Sequence, residues 1–157
     1  MTQQESLDTS LNTDPEGGHP YGHIKSFVFR RGHISQAQEQ AYERGMPIWG
    51  IAYDANQTIQ FDQVFGRNAP VWLEIGCGMG ETTAKIAAAH PQVNYLGVEV
   101  YKAGVGALIK RIEEQNLSNL RIMSHDVVDI LNHMIPDNSL DRVLIYFPDP
   151  WHKARHH

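Results

Sequence analysis

Cysteine is nearly absent from this chain. Cys77 is the single one among 157 residues, so no internal disulfide can form and a disulfide-stapled secreted fold is excluded. Long apolar runs are missing as well: no stretch approaches the roughly 18 consecutive apolar residues of a membrane-spanning helix. Residues 1–18 hold no Lys or Arg and no apolar segment of signal-peptide type. A cytoplasmic protein without a membrane partner is therefore expected. Excess charge of one sign is also lacking over most of the length. The formal net charge of −5 includes Glu5, Asp8, Asp14 and Glu16, and beyond residue 18 the chain carries 14 acids against 13 bases. A nearly neutral body with local basic clusters is compatible with a polyanionic partner. Hydrophobic residues at 41% and charged residues at 20% are average for a globular domain and name no function.

What is present reads as one domain with an N-terminal extension. Residues 1–20, rich in Thr, Gln, Ser, Asp and Gly, read as a disordered tail. Residues 21–70 read as an arm, a helix and a connector. In the arm, Lys25, Arg30 and Arg31 interleave with Tyr21, Phe27 and Phe29, which suits either contact with a polyanion or a surface strand packing its aromatics on the domain. Ser35 is an N-cap type of residue and predicts a helix to Arg44, with Gly45 as its stop and an irregular connector over 46–70. From Val71 onward, short apolar runs alternate with stretches of helical spacing, the signature of βαβ units. The pattern predicts strands at 71–75, 93–99, 120–123 and 140–147, and helices at 81–89, 102–115 and 127–134. The fold class is thus α/β, a Rossmann-like parallel sheet with flanking helices over residues 71–157.

The first predicted strand runs into Gly76-Cys77-Gly78-Met79-Gly80, a loop through which backbone can approach a ligand at a helix N-terminus. The spacing departs from the dinucleotide fingerprint, because the third small residue would fall at 81 and that position is Glu81. Glu74, two residues before Gly76, discriminates further. A carboxylate there repels a pyrophosphate and suits S-adenosyl-L-methionine, which carries an ammonium and a sulfonium against one carboxylate; the alternative is a structural acid satisfied by loop N–H groups. Glu99 ends the second strand, where doubly wound folds place an acid that accepts both hydroxyls of a ribose. Asp126 follows the third strand and suits either the adenine amino group or a helix N-cap. The fourth strand ends in Phe147-Pro148-Asp149-Pro150-Trp151, where two prolines fix the backbone around Asp149 beside a flat indole.

At these residues the chain resembles the bacterial tRNA (guanine-N7)-methyltransferases, class I enzymes dependent on S-adenosyl-L-methionine. The resemblance covers about residues 24 to 157. It rests on Ser26–Arg30, Leu73–Gly76, Gly97–Glu99, Gly104-Val105-Gly106, Leu117–Arg121, Ile135–Ser139 and, most specifically, Phe147–Arg155. It implies that Glu74, Glu99, Asp126 and Asp149 line the cofactor site, that Asp149 is also catalytic, that Lys153 contacts the substrate guanosine and that the basic stretch opening at Arg155 touches RNA; by their own chemistry Gly76, Gly78 and Gly80 read as cofactor-binding, and Arg155 and His156 as phosphate contacts. Members of that family continue well beyond this motif, so the C-terminal strands of the sheet are expected to be missing from this chain.

Guanine N7 has a free lone pair, so no proton need leave before it attacks the sulfonium methyl group. Alignment and stabilisation of the positive charge developing on the ring are then the main tasks, and the second falls to Asp149. No metal is expected, because the histidines near the end lack ligand spacing and a cysteine partner. Cys77 has no base beside it and reads as a small residue packed in the loop. A monomer is expected. Three rival readings remain: an exocyclic-amine methyltransferase, whose Pro-Pro-aromatic motif Pro148–Trp151 fits imperfectly; a non-catalytic cofactor- or RNA-binding remnant; and an NAD dehydrogenase.

Overall fold

The computed structural model describes residues 33–145. The acidic tail, nearly all of the basic aromatic arm, and Asp149, Lys153, Arg155 and His156 lie outside the described residues.

The first element, α1, spans Gln36–Trp49. Ser35 caps it in a capping box: its hydroxyl accepts from the Gln38 N–H, and the Gln38 side chain accepts from the Ser35 N–H. The helix does not stop at Gly45 but continues through Pro47. Packing explains the difference. Gly45 faces α4 (Lys102–Gln115), where a Cβ would stand 2.4 Å from the Ile109 side chain, so this glycine permits a close helix crossing and does not end the helix. The region expected to be irregular likewise holds a short helix, α2 (Phe61–Phe65), whose two phenylalanines are buried.

Four strands follow the alternation read from the sequence: β1 (Val71–Ile75), β2 (Asn94–Val98), β3 (Leu120–Met123) and β4 (Arg142–Ile145). Between them lie α3 (Glu81–Ala89), α4 and α5 (Val127–His133). All pairings are parallel and the order is β3-β2-β1-β4. The chain winds outward from β1 to β3, then returns to the other side of β1. Open α/β sheets bind ligands at such a switch point, outside the carboxyl ends of the strands. Here it lies between β1 and β4, with Ile75 in register with Ile145.

Side chains of opposite parity feed two cores. Tyr95, Leu120 and Ile122 pack with α1, α3 and α4 on one face; Leu73, Leu96, Val98 and Met123 pack with α2 and α5 on the other. Past α1 the backbone forms an isolated bridge from Gly50 to Ile122, and the Ile51 N–H donates to the Ile122 carbonyl at 2.9 Å. Asn119 donates its amide to the carbonyls of Ala87, His90 and Val93, tying the end of α3 to the entry of β2.

Candidate active site

At the end of β1 the chain must turn sharply into α3, and Gly76, Gly78 and Gly80 all adopt positive φ, at 85°, 59° and 84°. That left-handed region suits glycine because it carries no Cβ. The N–H groups of Gly76 and Cys77 donate to the Val98 carbonyl at the end of β2, and the Gly80 N–H donates to the Cys77 carbonyl. At Gly78 no atom lies within 4 Å of where a side chain would stand, so the loop presents open backbone there. The loop is also supported from α4. Gly104 lies so close that a Cβ would stand 2.1 Å from the Gly78 carbonyl oxygen, and Arg111 donates from Nε to the Met79 carbonyl at 3.1 Å. Two residues on, a Cβ at Gly106 would stand 2.2 Å from the Gln38 carbonyl oxygen of α1. The Gly104-Val105-Gly106 segment thus lets one helix touch both the loop and α1.

Glu99 binds the loop from below β2: its Oε1 accepts from the Gly78 N–H at 2.6 Å and its Oε2 from the Tyr101 N–H at 2.8 Å. Glu74 is more deeply placed, at 1% exposure. Its Oε1 accepts from the Tyr95 hydroxyl at 2.6 Å and from the Thr83 hydroxyl at 2.8 Å. The loop N–H groups named as its alternative partners go instead to Val98, Glu99 and Cys77. Burial pushes the Glu74 carboxyl above its ordinary range, the two hydroxyls pull it back, and the nearby Glu99 charge pushes it up again. Neither Glu74 nor Glu99 forms an ion pair with Lys or Arg among the described residues.

Cys77 is buried, and a Cβ on Gly97 would stand 2.7 Å from its Sγ. Burial, reinforced by the Glu74 charge, pushes its thiol far up, so it is a packing residue with no thiolate to offer. Asp126 stands after β3 as the N-cap of α5, where its Oδ1 accepts from the Val128 N–H at 2.9 Å. It lies at the same sheet edge as the loop. The structure therefore joins Glu99 to the glycine loop by a hydrogen bond, holds Glu74 two residues before the loop through Tyr95 and Thr83, and sets Asp126 along the same edge. Thr83 and Tyr95 were not singled out from the sequence. The signal for Tyr95 was there, a tyrosine within the apolar run 93–98, since a buried phenol needs a partner for its hydroxyl. Among the described residues no group of His, Cys, Asp and Glu is placed to hold a metal, and no helix is long and apolar enough to cross a membrane.

Comparison with known proteins adds the lineage. The protein-family model Methyltransf_4, described as "Putative methyltransferase", matches residues 68–157. A protein of Dechloromonas aromatica named tRNA (guanine-N(7)-)-methyltransferase is 57% identical over 141 residues, covering 90% of this chain and 57% of the relative. Proteins of the same name from Chromobacterium violaceum and Pseudomonas putida are 57% and 46% identical, covering 85% and 98% of this chain and 58% and 63% of the relatives. This chain thus spans about 57–63% of the length of those relatives. Among solved structures, an antibiotic-related methyltransferase is 22% identical with a TM-score of 0.46, covering 55% of this chain and 45% of that one. The match to more than half of the chain places it plainly: it belongs to the Methyltransf_4 family of methyltransferases, together with relatives named for guanine-N7 methylation of tRNA.

Proposed function

We propose that the chain carries the cofactor-binding part of an S-adenosylmethionine-dependent tRNA (guanine-N7)-methyltransferase, and that it acts in the cytoplasm. The observation that carries this reading is the identity of 46–57%, over 85–98% of this chain, with proteins of that name. The geometry is consistent with it. Open backbone at Gly78 leaves room for a ligand against the loop, and two acids without a Lys or Arg partner among the described residues stand near it. Such a site suits a ligand bearing positive charge and disfavours a pyrophosphate, which argues against the dehydrogenase reading.

When bound, S-adenosylmethionine supplies an electrophilic methyl group on a sulfonium. Glu99 would accept from its ribose hydroxyls, Asp126 from its adenine amino group, and the glycine loop would take its amino-acid end. Asp149 would hold the target guanine through its N1–H and N2–H donors and offset the positive charge that builds on the ring. Lys153 would donate to guanine O6 or a phosphate, and Arg155 and His156 would contact the RNA backbone. No residue need act as general base, because N7 carries no proton.

The test is transfer of a tritiated methyl group to unmodified tRNA, followed by nucleoside analysis. Labelled 7-methylguanosine is expected from the chain or from the chain joined to the part of its relatives that it does not cover. Label on an exocyclic amine, or none in either form, refutes the proposal. Asp149→Ala is expected to remove transfer far more than it weakens cofactor binding; equal losses would mean that Asp149 only holds the cofactor.

A further inference from the structure

Glu74 presents a problem that the family reading does not resolve. A carboxylate at 1% exposure is expensive to ionise, and in this chain no Lys or Arg among the described residues balances it. The groups that face it are Tyr95 from β2, Thr83 from the first turn of α3, the Cys77 thiol from the loop and the Glu99 carboxylate beyond β2. Of these, two donate to it. Both hydroxyls reach the same oxygen, Oε1, which fixes the rotation of the carboxyl group and favours its charged form. Both donors also belong to elements that flank the loop: Thr83 stands three residues past Gly80, and Tyr95 shares its strand with Val98, whose carbonyl holds Gly76 and Cys77.

We infer that Tyr95 and Thr83 are positioning residues of the cofactor site, acting through Glu74 to hold a buried negative charge beside the glycine loop that favours the sulfonium cofactor over its uncharged thioether product. Methyl transfer removes the sulfonium charge, so the same carboxylate that holds S-adenosylmethionine has less attraction for S-adenosylhomocysteine. The inference rests on the proposed cofactor.

Its test uses Tyr95→Phe and Thr83→Val, which keep shape and remove one hydroxyl each, with Thr83→Ser as the conservative rescue. Affinities for S-adenosylmethionine and S-adenosylhomocysteine are measured by calorimetry from acid to neutral pH. The ionisation of Glu74 is followed separately in the ligand-free chain through its carboxyl carbon by NMR. Losing one hydrogen bond to the charged form is expected to move the Glu74 midpoint up by about one to two pH units. Below both midpoints, the preference for S-adenosylmethionine falls up to about tenfold for each unit, while Thr83→Ser matches the wild type. Equal weakening of both ligands at every pH, with the midpoint unmoved, overturns the inference, since that is what a purely structural role predicts. If neither ligand binds the wild-type chain, the cofactor reading fails, and the carbon titration still decides whether the two hydroxyls control Glu74: an unmoved midpoint refutes that control and an upward one upholds it.

Discussion

Replacing Gly104 by alanine would put a methyl carbon 2.1 Å from the carbonyl oxygen of Gly78 and 3.0 Å from its carbonyl carbon. Both contacts are backbone, so neither can swing aside as a flexible side chain does, and the helix and loop must separate by about 1 Å. Overpacking of this kind costs about 2–3 kcal/mol, while alanine in place of glycine within a helix returns about 1 kcal/mol. The net loss is about 1–2 kcal/mol, which for a chain of this size lowers Tm by roughly 3–8 °C. Separation also pulls the Gly78 N–H from Glu99, now 2.6 Å apart, so that amide should lose protection from hydrogen exchange. Gly78→Ala is the control. It meets no atom within 4 Å, and its cost is the strain of φ near 59°, about 1 kcal/mol, with no displacement of α4. Calorimetry and amide exchange on both variants distinguish a steric from a conformational penalty. A Gly104→Ala protein with unchanged or higher Tm and a fully protected Gly78 amide would refute the close contact.

Glu74→Gln should stabilise the cofactor-free chain, and by more as pH rises. Burial raises the folded-state pKa of Glu74, so the cost of its charge is absent below the unfolded carboxylate pKa and develops as pH climbs through the raised folded value. A stability difference that stays flat from acid to neutral pH in urea titrations would contradict this sign. Asn119→Ala removes the donor shared by three carbonyls and should cost about 2–3 kcal/mol in the same assay. Asn119→Asp, which cannot donate, should be no better; if it matches wild type, the amide assignment is wrong.

Much of the fold was legible because the hydrophobic period changes between strand and helix. Strands 71–75 and 120–123 and helices 81–89 and 102–115 stand where the pattern puts them, while the second strand is one residue shorter at each end and the fourth begins at Arg142, its expected end lying outside the described residues. The misses lie where tertiary contact overrides a local signal. Gly45 and Pro47 are breakers by composition, yet α1 runs through both because its face is buried on α4. Asp126 caps α5 through Oδ1, one of the two readings its position offered, and its contact with a ligand stays a proposal. The glycine loop, Glu74 on β1 and Glu99 just past β2 were readable as motif positions. How Glu74 is held was not, because its partners are 9 and 21 residues away and nothing local marks them as neighbours.

The two borders of the sheet differ in a way that sets a direction. Along β3 the outer hydrogen-bonding groups are partly consumed by Gly50 and Ile51, so the backbone arriving from α1 acts as a stopper. Along β4 no described strand occupies the outer side, and Val143 and Ile145 remain 47% and 48% exposed, in register with Leu73 and Ile75 of the same buried face. Among the described residues the two borders are therefore unequal: a strand added next to β4 would meet uncovered apolar surface, whereas one approaching β3 would meet an edge already partly closed.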